Sequence, residues 1–333
     1  MRPEHLTLLR SPINGKELLC ENAIMESGRI RSGILTDGKN SYQIVDFVPR
    51  FVDHHNYCAS FSVEWEKHPD ILYGSRSNYS LYEERFTKET RWGKKLSGQL
   101  VLEAGCGCGA LTPYALQTGA TVVSFDASNG VERSFRANGR NPQLLLLQAD
   151  IFCPPFPDNS FDKIFCFGVL QHTPDPRLAL SSLVSKLKPG GNIVCDIYSV
   201  PLEGNAYRGL LNTKYLVRRL TAGKDPVRLY KTIKRYVRIM WPLSQIIRLV
   251  PRYGVRVNRR FLIDDYPNRL PGMIPQFYKE FACLDVFDML SPAYDYPSTP
   301  EEFRKWHDEL GLLNVEVGYG YNGIEGRGTK TSQ

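Results

Sequence analysis

The sequence predicts an α/β fold: a doubly wound, seven-stranded sheet with a small N-terminal β module before it and a helical insertion after the fifth strand. Three observations lead there. From residue 99 onward, short apolar runs of strand character alternate with segments of helical periodicity, the pattern of a parallel sheet covered on both faces. A glycine-rich turn, Glu103-Ala104-Gly105-Cys106-Gly107-Cys108-Gly109, joins the first of these runs to the first helix. The alternation stops between residues 200 and 297, where the charge also changes, and then resumes.

Taken in order, residues 1–55 are rich in turn formers, with apolar stretches at 30–35 and 42–48 closed by Pro49-Arg50-Phe51, which suggests a small β module. Residues 56–98 carry Tyr57, Phe61, Trp65, Tyr73, Tyr79, Tyr82, Phe86 and Trp92 on mixed polar ground, a pattern suited to helices that cover a neighbouring domain. The core is expected at 99–199, with strands at 99–104, 121–126, 144–148, 163–167 and 192–198. Its helices are expected at 110–117, 130–137 and 177–187, the last stopped by Lys188-Pro189-Gly190-Gly191. Residues 298–333 return to the core with a helix at 300–310 and a strand pair at 314–319 and 323–330.

Composition narrows the class. Of 333 residues, 42% are hydrophobic and 23% charged, which supports a sizeable core and argues against disorder. No apolar run approaches the roughly 18 residues of a membrane-spanning helix, and Met1-Arg2-Pro3-Glu4-His5 leads into no signal-like segment. The eight cysteines, at 20, 58, 106, 108, 153, 166, 195 and 283, form no C-x-x-C pair and read as free thiols of a cytoplasmic protein. The net charge of +7 is local: residues 201–270 hold sixteen Lys and Arg against four Asp and Glu.

The glycine turn follows a strand and opens a helix, where missing Cβ atoms allow a sharp bend and close approach of a ligand. Gly105-x-Gly107-x-x-Ala110 with Asp126 also fits a dinucleotide site. Glu103 argues otherwise. It stands two residues before the first glycine, where a dinucleotide site carries an apolar residue and a ligand with an amino group needs an acid. Gln148-Ala149-Asp150 places a further carboxylate at the third strand's end. Pro155-Phe156-Pro157-Asp158, then Ser160-Phe161-Asp162, leads into the fourth strand and Gly168-Val169-Leu170-Gln171-His172.

As an ordered set, these motifs resemble those of the class I S-adenosylmethionine (SAM)-dependent methyltransferases, most closely the subgroup that includes the quinone-biosynthesis enzymes. The resemblance runs through residues 99–199, and more loosely through the closing helix and strands. It implies a Rossmann-like core and a set of roles. Glu103 and the backbone of Gly105, Cys106 and Gly107 would face the methionine amino group. Asp126, with Ala127 beside it, would take the ribose hydroxyls, and Asp150 with the Ile151 N–H the adenine. Phe167 and Gly168 would line the methionine end, and Arg85 would pair with the methionine carboxylate or, alternatively, form an ordinary helix ion pair. His172 is the candidate general base, or else a loop-positioning residue; Tyr198, Tyr321 and Asn322 are candidates for acceptor contact.

The N-terminal stretch Leu9-Arg10-Ser11-Pro12-Ile13-Asn14 resembles the first knuckle of a zinc ribbon that precedes some methyltransferases, with Ser11 and Asn14 at the cysteine positions and Thr36 near the start of the second knuckle. The resemblance implies a ribbon without metal, since four Cys or His ligands are absent; the alternative is zinc on Cys20, His5, His54 and His55. In the insertion, Arg228, Lys231, Arg235 and Arg238 recur at helical spacing opposite Tyr230, Ile233, Val237 and Met240, and Pro242 is expected to break the helix. This basic face reads as a cover over the substrate cleft, as a membrane-surface helix over 226–250 reaching a lipid-linked acceptor at the inner membrane surface, or as a site for an anionic small molecule. Nucleic acid fits least. Three functions follow: a SAM-dependent methyltransferase, a SAM-binding partner subunit without catalysis, or a nicotinamide-dependent oxidoreductase.

Overall fold

The computed structural model describes residues 1–52, 56–69, 71–72, 81–200 and 212–332; His54, His55, Tyr73 and Tyr79 lie outside them. The chain divides into two compact units. One comprises Met1–Asn56, Arg85–Ser199 and Asp295–Gln333, the other Tyr57–Glu84 and Val200–Tyr294.

The first unit is built on a single sheet, with the helices Thr112–Gln117, Gly130–Asn138, Pro176–Lys186 and Pro300–Glu309. Its strands are β1 (Leu19–Glu26), β2 (Arg29–Thr36), β3 (Ser41–Val45), β4 (Val48–Arg50), β5 (Leu100–Ala104), β6 (Thr121–Asp126), β7 (Leu144–Gln148), β8 (Phe161–Cys166), β9 (Leu187–Ile197), β10 (Leu312–Gly320) and β11 (Gly323–Lys330). They lie in the order β1-β2-β3-β4-β7-β6-β5-β8-β9-β11-β10. Among the described residues the sheet thus has eleven strands rather than the expected seven, because the four N-terminal strands join β5 to β11. The N-terminal strands continue the same sheet, because β4 pairs in parallel with β7 at Arg50 and Gln148. The Phe51 N–H donates to the Gln148 carbonyl at 2.8 Å, and Arg50 bridges Glu132 at 2.5 Å.

Strands β5 to β9 are parallel neighbours, and β11 and β10 close the far edge antiparallel. Their apolar residues split by alternation. Leu102, Val123, Leu145 and Ile164 enter one buried cluster, whereas Val101, Val122, Leu144 and Phe165 enter another. Period-two side chains place these on opposite faces, so both faces are covered. The first cluster also takes Leu9, Ile30, Leu35 and Ile44, which anchors the N-terminal strands to the core.

Local chemistry explains where the boundaries move. Strand β1 was not legible because all its residues but one are exposed, leaving no alternation to read. The expected stretch 42–48 divides at Asp46-Phe47, both with positive φ (45° and 71°), the conformation of a tight hairpin turn. The expected stop at Lys188-Pro189-Gly190-Gly191 lies inside β9, since Leu187 already pairs with Phe161 and Gly190 bends the strand at φ +75°.

The second unit is helical. Its longest helix, Pro226–Arg248, begins with Pro226 in the first turn, capped by the Asp225 carboxylate, which accepts the Arg228 N–H at 2.8 Å. It buries Leu229, Tyr230, Ile233, Val237 and Ser244. Pro242 does not break it, contrary to expectation: the helix continues six residues further, and Pro242 is exposed. A proline removes one N–H and crowds one carbonyl, and in a long packed helix that local cost is tolerated. Packed with this helix is Tyr278–Leu290, which buries Phe281 through Phe287. No described helix is long and apolar enough to cross a membrane.

Candidate active site

In a doubly wound sheet, ligands bind beyond the carboxyl ends of the strands, where the strand order reverses. Here that point lies between β5 and β8, the central neighbours whose connections run to opposite edges. The turn leaving β5 is shaped by Gly105, Gly107 and Gly109, with φ of +75°, +51° and +83°. A Cβ on Gly105 would stand 2.2 Å from Val169 Cγ2, so the turn is seated directly against the loop leaving β8. The Gly105 and Cys106 N–H groups both donate to the Phe125 carbonyl, at 2.8 and 3.0 Å.

Asp126 ties two loops together at the end of β6. One oxygen accepts the Gly107 N–H at 2.8 Å, the other the Ser128 N–H at 2.7 Å. Burial raises its pKa even so, against the hydrogen bonds from Ser128 and Gly107. Each carboxylate oxygen retains acceptor capacity beyond one bond. Ala127 is buried, and its carbonyl accepts from Asn56 at 2.9 Å and Gln148 at 3.1 Å.

Glu103, 2% exposed, lies at the end of β5, and its Oε2 accepts the hydroxyls of Thr112 at 2.7 Å and Ser124 at 2.6 Å. Burial pushes its pKa up to about 7, opposed by those two bonds and assisted by Asp126. Burial likewise raises the Cys106 thiol well above its usual value, which removes it as a nucleophile at neutral pH. Asp150 follows β7, whose Gln148 pairs with Asp126, so the two acids stand at adjacent strand ends. It accepts the Phe152 N–H at 3.1 Å, while the buried Ile151 takes the Ser182 hydroxyl on its carbonyl.

A second group forms after β8. The Gly168 N–H, at φ +75°, donates to Asp196 Oδ1 at 2.5 Å, and Asp196 Oδ2 accepts from Arg85. Arg85 Nε donates to Glu89 at 2.7 Å, and its guanidinium lies 5.4 Å from the Phe167 ring and 5.5 Å from that of Tyr321. The Asn322 side chain also hydrogen-bonds Asp196. Arg85 thus forms the helix ion pair with Glu89 and a second, longer-range pair in addition. Both acids are fully buried, and burial raises their pKa values against the pull of Arg85; Asp196 pushes Glu89 further, to about 8.

His172 closes the short helical turn Leu170–His172 and is buried. Its N–H donates to the Val169 carbonyl at 2.9 Å, and its ring meets Tyr198 edge-on at 5.3 Å. Next to it, Gln171 is fully buried, and neither side-chain amide atom has a hydrogen-bond partner among the described residues.

The structure therefore gathers Glu103, Gly105, Cys106, Gly107, Asp126 and Ala127 around the first turn, with Asp150 and Ile151 at the next strand end. Arg85, Phe167, Gly168, Tyr321 and Asn322 converge on Asp196, and His172 pairs with Tyr198. Sequence reasoning missed Asp196, Glu89, Thr112 and Ser124. Asp196 had a legible signal, a lone acid within the apolar run Ile193-Val194-Cys195-Asp196-Ile197.

The model of the methyltransferase domain family matches residues 102–195, somewhat more than a quarter of the chain. The mitochondrial ubiquinone biosynthesis O-methyltransferase of Schizosaccharomyces pombe is 29% identical over 175 residues, covering 51% of this chain and 61% of that protein. Demethylmenaquinone methyltransferase of Paenarthrobacter aurescens is 38% identical over 130 residues, 38% of this chain and 48% of that protein. The chain thus spans about half to three fifths of the curated relatives it matches. Among solved structures, phosphoethanolamine N-methyltransferase 2 of Haemonchus contortus in complex with S-adenosyl-L-methionine is 15% identical, with TM-score 0.44 over 78% of this chain and 46% of that one. At those values the structural likeness bears no weight for function.

Proposed function

We propose that this chain transfers a methyl group from S-adenosylmethionine to a small-molecule acceptor. The observation that carries the reading is the placement of Glu103, Asp126 and Asp150 at three adjacent strand ends, beside a turn whose three glycines hold positive φ and which packs closely at Gly105 against the loop after β8. The methyltransferase domain match supports it. S-adenosylmethionine is the donor, supplying an electrophilic methyl group on a sulfonium. Asp126 holds the ribose hydroxyls with the acceptor capacity left beyond its two backbone bonds, and Asp150 with the Ile151 N–H holds the adenine. Glu103 and the glycine-turn backbone hold the amino group. An ammonium there offsets the burial that keeps the empty carboxyl near pKa 7 and returns it to the charged form. Arg85, whose planar guanidinium matches a carboxylate, takes the methionine carboxylate.

Transfer is an in-line displacement, so the chain's task is alignment, exclusion of water and removal of the acceptor's proton. His172 is the base in this reading, with its ring set by Tyr198, and Tyr321 and Asn322 face the acceptor. The relatives named for ubiquinone and menaquinone biosynthesis support a lipid-linked acceptor. Incubation with labelled SAM and a panel of hydroxylated quinone precursors tests both halves. Donor binding by calorimetry without turnover of any acceptor would favour a non-catalytic partner subunit. Stabilisation by a nicotinamide cofactor but not by SAM would overturn the donor.

The N-terminal strands are, in the same reading, a ribbon that has exchanged its metal for hydrogen bonds. Asp37 Oδ2 accepts from Asn14 at 2.9 Å and Asn40 at 2.8 Å, while Oδ1 accepts the Lys39 and Asn40 N–H groups at 2.8 Å. Ser11, which also reaches Asp37, contacts the Tyr42 hydroxyl at 3.1 Å. Two knuckles, Ser11 to Asn14 and Asp37 to Asn40, thus meet through one carboxylate.

A further inference from the structure

Between Asp225 and Asp264 the chain carries ten Lys and Arg and no Asp or Glu. Part of that charge lies along the outer face of the Pro226–Arg248 helix, where Arg228 and Arg235 are spaced to continue one stripe. Further along the same stripe the chemistry changes. Ile239, Leu243, Ile246 and Val250 recur at helical spacing and are all exposed, and Leu249 beside them is 76% exposed. The chain then turns at Arg252, at φ +65°, and the Gly254–Arg260 helix adds Arg256 and Arg259 around the exposed Val257. Arg259 pairs with Asp264 at 2.8 Å. By contrast, the guanidinium groups of Arg228, Arg235, Arg252 and Arg256 have no carboxylate partner among the described residues.

We propose that this face, from Arg228 to Phe261, docks the protein on an anionic phospholipid surface. Single exposed aliphatics are ordinary on a protein surface; a helical row of them bordered by unpaired arginines is not. Nucleic acid would satisfy the arginines but would leave the aliphatic row in water. A neutral apolar partner would bury the row and strand the charges. A bilayer of anionic lipid satisfies both at once: acyl chains take the aliphatic residues and headgroup phosphates take the guanidinium groups. No described helix is long and apolar enough to cross a bilayer, and the proposed contact lies along this face. The proposal refines the expected contact over 226–250, moving its apolar centre to residues 239–250 and extending it into the next helix. It stands independently of methyl transfer.

The test is co-sedimentation of the full chain with vesicles of phosphatidylcholine containing about 30% phosphatidylglycerol, against phosphatidylcholine alone, at low salt and at about 0.5 M salt. The double variant Ile246→Ser, Leu249→Ser removes apolar contact without changing charge. The double variant Arg235→Ser, Arg252→Ser removes charge alone. All four side chains are exposed, so both variants should melt like the wild type. The wild type should bind the anionic vesicles and not the neutral ones. The apolar variant should bind about tenfold more weakly and the charge variant about twentyfold more weakly. Absence of binding to anionic vesicles at low salt overturns the proposal. So does an apolar variant that binds like the wild type, because the attraction would then be charge alone and a soluble polyanion such as RNA would be the better ligand.

Discussion

In Asp126 a single carboxylate has two tasks that mutation separates. It fastens the Gly107 and Ser128 backbones, and in the proposed complex it also holds the ribose. Asp126→Ala should weaken SAM binding by about 2–4 kcal/mol, the loss of charge-assisted hydrogen bonds, and calorimetry showing unchanged affinity removes Asp126 from the site. Glu103 adds a proton signature. Its folded pKa of about 7 lies above its ordinary 4.5, so its contribution to stability is present at low pH and lost as pH rises through that window. Glu89, at about 8, extends the decline. Melting temperature followed from pH 5 to 9 should therefore fall less steeply for Glu103→Gln and Glu89→Gln than for the wild type. Because a bound ammonium pulls the Glu103 pKa back down, SAM binding near pH 7 should release a fraction of a proton. Calorimetry in buffers of different ionisation enthalpy reads that release directly, and its absence would place the amino group elsewhere. For His172, a general base contributes about 10²–10⁴-fold, so His172→Ala should lower kcat by that much with SAM affinity intact and the acidic limb of the pH profile lost. Near-normal kcat with weakened acceptor binding would instead assign His172 to positioning.

At the scale of elements, the knuckle built on Asp37 is the clearest point of test. Its hydrogen bonds, first those from Asn40 and Ser11, hold the carboxyl well below the usual carboxylate range. A depressed folded pKa means stability that is present above the ordinary carboxylate value and lost as pH falls. Asp37→Ala should lower the melting temperature at neutral pH, and the gap from wild type should narrow in acid. Chelator should leave the wild-type melting curve unmoved, and stoichiometric zinc by elemental analysis would replace the hydrogen-bonded knuckle with a metal site. These strands also mark where sequence reading ends. Strands β5 to β8 were legible because burial gives each a short apolar stretch, such as Val101-Leu102, Val122-Val123, Leu144 to Leu147 and Ile164 to Cys166, between turn residues. The fusion of β4 to β7 was not, because it rests on Arg50 reaching Gln148 and Glu132, contacts between distant segments without periodicity. At the site, the acids at strand ends were legible from the motif order. Glu89 was not, since an acid four residues from an arginine on a helix reads as an exposed pair, and only the fold shows it buried with Arg85, which also reaches Asp196.

For the whole molecule, the chain passes between its two units at 56–57, 84–85, 199–200 and 294–295, yet every residue assigned to the donor belongs to the first unit. That separation makes donor binding a test of the architecture as well as of the ligand. SAM that binds only the native state should stabilise it by about 2.7 kcal/mol at 100 times Kd and about 4.1 kcal/mol at 1,000 times, with NADH giving no comparable shift. The gain should be uneven along the chain. Amide exchange should slow most in the turn after β5, where Gly107 N–H is already held by Asp126, and in the loop after β8, where Gly168 N–H is held by Asp196. Local opening of those loops requires breaking contacts that a bound donor reinforces from the other side. In the Pro226–Arg248 helix, whose packing partners Tyr278–Leu290 and Ala59–Lys67 lie within the second unit, exchange should change little with SAM alone. Protection spreading equally into that helix would mean that donor binding orders both units together. Protection confined to that helix, with the glycine turn unaffected, would remove the donor from the strand ends altogether.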